Sequence, residues 1–159
     1  MNKIFDLLKR AYATDLAADV RPETEEAACA FEEKHGVTLP ADYRLLLTTF
    51  GAFNFGNDPW LYSLEDLEWA HPSFVETYKE YREGYPDLPD DLDPFPIGGF
   101  GEGSIAVLDR ATGKIFMLIH DCAEDVPLED VADSFEGFIR RQAENLLEYM
   151  KTRQEKKCH

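Results

Sequence analysis

Ser104-Ile105-Ala106-Val107-Leu108-Asp109, then Arg110-Ala111-Thr112-Gly113, then Lys114-Ile115-Phe116-Met117-Leu118-Ile119-His120 is the stretch on which the fold turns. Two apolar runs rich in β-branched residues flank four residues that close on glycine, the pattern of an antiparallel hairpin. Both runs are apolar at most positions. The hairpin is therefore expected at the centre of a sheet, with helices covering one face.

Downstream, Asp133 or Ser134 is positioned to cap a helix. Phe135, Phe138, Ile139, Gln142, Leu146, Leu147 and Met150 recur at helical spacing. That helix is expected to run about 18–20 residues, ~30 Å, before a basic tail that frays from Thr152. Upstream, residues 86–96 hold four prolines and four aspartates and read as loop. Ser73 with Glu76 has the form of a capping box, opening a helix that carries Phe74, Tyr78, Tyr81 and Tyr85 on one stripe. Ser63 with Asp66 suggests a separate short helical turn. Trp60-Leu61-Tyr62 reads as a short strand, and Trp60 and Trp69 as core.

The first 50 residues read as three helices. One covers residues 2–19. A second starts at Pro22 and ends at Gly36, and a third opens at Leu39-Pro40 and ends at Gly51. The sum is an α+β domain with a central, mostly antiparallel sheet and helices from both chain ends packed on it. One domain is expected over residues 1–159, with a core at 22–150. The helix 2–19 and the tail 152–159 are expected at its periphery.

At 159 residues the chain is long enough for a core without staples. It has no apolar run of ~18 residues that would cross a membrane. The N-terminus lacks an apolar stretch followed by a cleavage site, so a cytoplasmic location is expected. Cys29, Cys122 and Cys158 form an odd set without ligand spacing, which suits a reducing compartment. Charge is the strongest compositional signal. Residues 58–136 hold 20 acidic and 4 basic side chains, a net −16 equal to that of the whole chain. Residues 1–57 carry −3 and residues 137–159 carry +3. Such a field repels phosphates, so direct nucleic-acid binding is not expected, and it attracts basic proteins.

No motif assembles a catalytic centre. The run from Gly98 to Gly103 lacks a Walker lysine and leads into a strand, so it reads as a turn pinned by Phe100. His120-Asp121-Cys122 places three reactive residue types in sequence, but neighbours on an extended chain point to opposite sides. His35, His71, His120 and His159 show no zinc spacing. The aspartates at 87–93 lack the glycine and terminal Glu of an EF-hand loop. No enzyme activity, cofactor or metal is expected.

An ordered set of features resembles the SUKH superfamily, also called the Smi/Knr family after fungal cell-wall assembly regulators. Phe31-Glu32, Gly36 and Leu39-Pro40-Ala41-Asp42-Tyr43 are similar to its opening motif. Leu46-Leu47 and Phe50-Gly51-Ala52 resemble its helix end, and Pro96 to Gly103 its glycine-rich approach to a central strand. Residues 134–139 resemble its closing helix. The stretch from Ser63 to Pro94 matches no motif of the family. The resemblance implies an α+β fold without a catalytic centre and, for bacterial members, immunity proteins that neutralise a toxin. Many such toxins are nucleases and therefore basic.

These readings converge on a non-catalytic protein-binding domain. The expected function is an immunity protein that occludes a basic toxin domain, with a regulatory or scaffold module of the Smi/Knr type as the alternative. The partner is expected on the acidic middle, centred on Asp87, Asp90, Asp91 and Asp93, with Glu102, Glu124 and Asp125 nearby. Tyr78 and Tyr81 are candidate anchors.

Overall fold

The computed structural model describes residues 4–157 except Asn57, Cys122, Glu124 and Asp125. Its elements in chain order are α1 (Phe5–Tyr12), a 3-10 turn (Asp15–Ala17), α2 (Glu25–His35), α3 (Ala41–Thr49), β1 (Trp60–Leu61), α4 (Leu64–Gly84), β2 (Pro94–Gly99), β3 (Ile105–Asp109), β4 (Ile115–Leu118), β5 (Leu128–Ala132) and α5 (Phe135–Lys157). The five strands form one antiparallel sheet in sequential order. The predicted hairpin is β3–β4, and β3 is the central strand. The architecture is the expected α+β domain.

Helices cover both faces of this sheet, not one. Side chains alternate along a strand. Ala106 and Leu108 thus join Ile115, Tyr43, Phe95 and Phe138 in the main core, while Val107 meets Leu118 on the opposite face. There Phe74 of α4 packs on both, with Tyr78 and Tyr81 beside it. An apolar run on both faces of β3 is the sequence counterpart of this double cover.

Helix α4 departs most from the expected layout. Two short helices were expected, but one helix runs through Pro72, and Ser73 is internal and exposed. The capping box is at Ser63, whose hydroxyl accepts from the Asp66 N–H at 3.1 Å while the Ser63 N–H donates to the Asp66 carboxylate at 2.9 Å. Packing of both halves overrides the proline. Leu64, Leu67 and Ala70 are in the main core, and Phe74 is on the second face.

Helix α1 is shorter than residues 2–19 and is not peripheral: Ile4, Leu8 and Ala11 are fully buried against the main core. Tyr12 fixes it, with its ring on Phe50 and its hydroxyl donating to the Gly51 carbonyl at 2.8 Å. Helix α2 starts at Glu25, capped by Thr24, instead of at Pro22. It ends at Gly36 in the left-handed conformation, as expected. Residues 94–96, read as loop, are already strand, and β5 has no counterpart in the sequence reading. The C-terminal segment is helical to Lys157 and does not fray at Thr152. Its Glu, Lys, Arg and Gln residues are good helix formers.

The resemblance motifs turn out to hold the fold together. Glu32 accepts the Leu39 N–H at 2.8 Å and pairs with Arg44 at 2.5 Å. Arg44 also reaches Glu25 at 2.7 Å, joining α2 to α3. Tyr43 is fully buried and donates its hydroxyl to the Tyr62 carbonyl. Between α2 and α4, Glu68 receives Lys34 at 2.5 Å and His35 at 3.1 Å, and the His35 and His71 rings lie 5.8 Å apart.

Candidate functional site: two ends of one sheet

Strands β2, β3 and β4 give the sheet two ends. One carries the loop 86–93 and the turn 110–113. The other carries the turn 100–103 and His120-Asp121. Strand β2 separates Asp93 from the turn at Glu102 by six residues, about 20 Å. The structure therefore does not bring Glu102 beside the four aspartates. Glu124 and Asp125 lie outside the described residues.

At the loop end Asp87, Asp90, Asp91 and Asp93 are all exposed, but two of them have internal partners. The Arg82 guanidinium pairs with Asp90 and donates to the carbonyls of Leu88 and Pro89, each at 2.9 Å. Arg110 pairs with Asp93 at 2.5 Å, donates to the Thr38 carbonyl at 3.2 Å and stands 5.7 Å from the centre of the Phe95 ring. Asp109 latches the loop from beneath. Its carboxylate accepts the Asp93 N–H at 2.9 Å and the Thr112 hydroxyl at 2.5 Å. Burial pushes the Asp109 pKa up, but these hydrogen bonds outweigh it and leave it lowered. Asp87 and Asp91 have no partner among the described residues. A cleft of about 650 Å³ lies here, lined by Thr38, Pro40, Asp42, Arg110, Ser134 and Phe135 among others. Its one arginine is already engaged.

At the opposite end a groove of about 570 Å³ runs between α4 and the glycine-rich turn. Trp69, Ser73, Thr77, Glu80 and Tyr81 of α4 form one wall. Trp60, Tyr62, Phe100, His120 and Asp121 line the rest. Trp69, expected in the core, is 60% exposed. Its ring meets Tyr62 edge-on at 5.8 Å. The reason is helical phase: Leu67, Ala70 and Phe74 take the buried stripe, and Trp69 shares the other face with Ser73, Thr77 and Glu80. An aromatic on an otherwise polar stripe was the available signal.

Two glycines shape the groove. A Cβ on Gly99 would come within 2.6 Å of the Trp60 ring and 2.9 Å of the Tyr62 hydroxyl oxygen. Gly103 has φ +100°, and a Cβ there would come within 3.3 Å of the His120 ring. The glycine-rich run thus serves close aromatic approach and a turn, in which Phe100 donates to the Ser104 carbonyl at 2.9 Å. His120 pairs with Asp121 at 3.1 Å, and its imidazole meets no hydroxyl among the described residues. Cys122 lies outside them. Among the described residues no three His, Cys, Asp or Glu side chains are grouped as metal ligands.

Of the two tyrosine candidates, Tyr81 borders the groove and donates its hydroxyl to the Ile119 carbonyl at 2.8 Å. Tyr78 stacks on Phe74 with ring centres 5.6 Å apart. Burial raises its pKa, and the nearby Arg82 charge opposes that.

Among the described residues no helix is long and apolar enough to cross a membrane. No curated protein matches the chain. The model of the SMI1 / KNR4 family (SUKH-1) matches residues 22–141, from the turn before α2 into α5, and so spans every strand. With three quarters of its length covered and the signature residues Phe31, Glu32, Leu39 and Tyr43 in structural roles, the chain belongs to the SMI1 / KNR4 family (SUKH-1).

Proposed function

We propose that this protein is a non-catalytic, cytoplasmic immunity protein that neutralises a cognate toxin domain, basic in the manner of a nuclease, by covering it. The family is generally non-catalytic and associated with protein–protein interaction. The observation that carries the reading is the charge left over after folding. In the acidic segment 58–136, two of the four bases, Arg82 and Arg110, are engaged by Asp90 and Asp93. Asp87 and Asp91 at one end, and Glu80, Glu102 and Asp121 at the other, remain exposed. A field of this sign repels a phosphate backbone and draws in the cationic surface of a protein that binds one.

The test is co-production with a toxin domain encoded immediately upstream of the gene. Growth should be rescued, and the two proteins should co-purify with an association rate that falls as salt rises. No rescue and no complex would contradict the reading and favour a scaffold role.

A further inference from the structure

We infer that the groove between α4 and the 100–103 turn is the docking site of the basic partner, and that it takes two arginine side chains of one exposed partner segment. This rests on the reading above and narrows it to one place and one kind of side chain.

Trp69 is the most exposed large apolar side chain of the described residues, and it stands on a helix face that is otherwise polar. Tyr62 supports its ring from one side, edge-on at 5.8 Å. Aromatic side chains in a concave, preformed site are the usual anchors of an interface. The lining supplies carboxylates at Glu80, which has no partner among the described residues, and at Asp121, whose neighbour is the His120 imidazole; it contains no lysine or arginine. Glu102 is exposed on the adjoining turn.

Rings together with carboxylates select a particular guest. An aliphatic segment would leave the acids unused, and an anion would be repelled. A guanidinium stacks on a ring face and forks to a carboxylate, and an ammonium does both less well. Trp69 and Glu80 are eleven residues apart on α4, ~16 Å along its axis, so one arginine of the segment meets the Trp69 ring and a second meets the carboxylates. The protein shows the same arrangement internally: at the loop end Arg110 stands over Phe95 and pairs with Asp93. The groove holds the aromatic and acidic parts of that arrangement without its cation.

The readout is built in, because Trp60 and Trp69 are the two tryptophans of the chain and both line the groove. The probe is a capped Gly-Arg-Leu-Arg-Gly peptide, compared with its citrulline analogue, which keeps the shape and loses the charge. The arginine peptide should change tryptophan emission and bind more weakly as salt rises. Calorimetry should show ~10-fold weaker binding to Trp69→Ala and to Glu80→Gln, both at exposed positions. Equal binding of the citrulline peptide, or unchanged affinity in both variants, would overturn the inference. So would the absence of any emission change with the arginine peptide. The co-production assay keeps the two claims apart. Wild-type protection that survives intact in Trp69→Ala overturns the groove and leaves the immunity reading standing. Failure of the wild type to protect removes that reading whatever the peptide does.

Discussion

At the loop end of the sheet an arginine, a phenylalanine ring and an aspartate are already assembled; at the groove end rings and carboxylates stand without a lysine or arginine. The loop end holds the denser run of acids in the sequence, with four aspartates in seven residues. Folding brings Arg82 and Arg110 to two of them. The groove end has fewer acids, but no lysine or arginine lines it. Density of charge along a chain is therefore a poor guide to charge available for binding. What counts is which counter-charges the fold delivers, and these come from 8 and 17 residues away.

The largest effect is expected where both ends depend on one helix. Phe74 is 3% exposed and fixes α4 to the second face. Phe74→Ala should cost ~3–5 kcal/mol in urea unfolding and abolish the groove's affinity for the arginine peptide. A small cost with binding retained would mean that α4 does not build the groove. Arg110→Ala should cost less, about 1–2 kcal/mol, since its pair with Asp93 is partly solvated and the stacking on Phe95 is lost with it. The same change should make the loop end resemble the groove end. Asp93 and Phe95 then await a cation, and calorimetry should show a second, weaker, salt-sensitive peptide site.

A smaller, pH-dependent effect is expected at the α2–α4 seam. Burial lowers the His71 pKa from the ordinary 6.5, and the neighbouring His35 and Arg110 charges add to this. The unfolded chain then takes up a proton that the folded chain declines. The His71 contribution to stability is full above about pH 6.5 and is lost as pH falls from there through the lower folded-state pKa. Urea midpoints should decline as pH falls from about 6.5 to 5.5, and His71→Phe should flatten the decline. That range lies above the titration of Glu68, whose carboxylate Lys34 and His35 hold below its usual pKa. An unchanged slope in the variant would place the proton uptake elsewhere.

Elements defined by local pattern could be read from the sequence. The β3–β4 hairpin, the Gly36 cap, the α3 start at Leu39-Pro40 and the buried stripe of α5 all follow from periodicity and punctuation. So did the family, because Glu32, Leu39 and Tyr43 act within a short span of chain. The errors share one cause, which is tertiary packing acting against a local signal. Pro72 should break a helix, yet two buried clusters hold α4 together across it. Strand β5 has exposed Glu129 and Asp130 at its middle and is recognisable only by its pairing with β4. The acidic loop was the visible candidate site because its residues are adjacent in sequence. The groove was not visible, since its lining comes from residues 60–62, 69–81 and 99–121, which meet only in space.

The central claim is that the groove end, and not the acidic loop, holds the basic partner. Two charge-matched double variants test it most directly: Glu80→Gln with Asp121→Asn, and Asp87→Asn with Asp91→Asn. Each removes two negative charges from exposed positions, so net charge changes alike, and a urea midpoint for each variant shows that both are folded. Affinity and salt dependence for the arginine peptide are measured for both. The account predicts ~10-fold or greater weakening with a flattened salt dependence for the groove pair, and less than ~2-fold change for the loop pair. Equal losses in the two variants would mean that only net charge matters, and a larger loss in the loop pair would move the site to residues 87–93; either result contradicts the account.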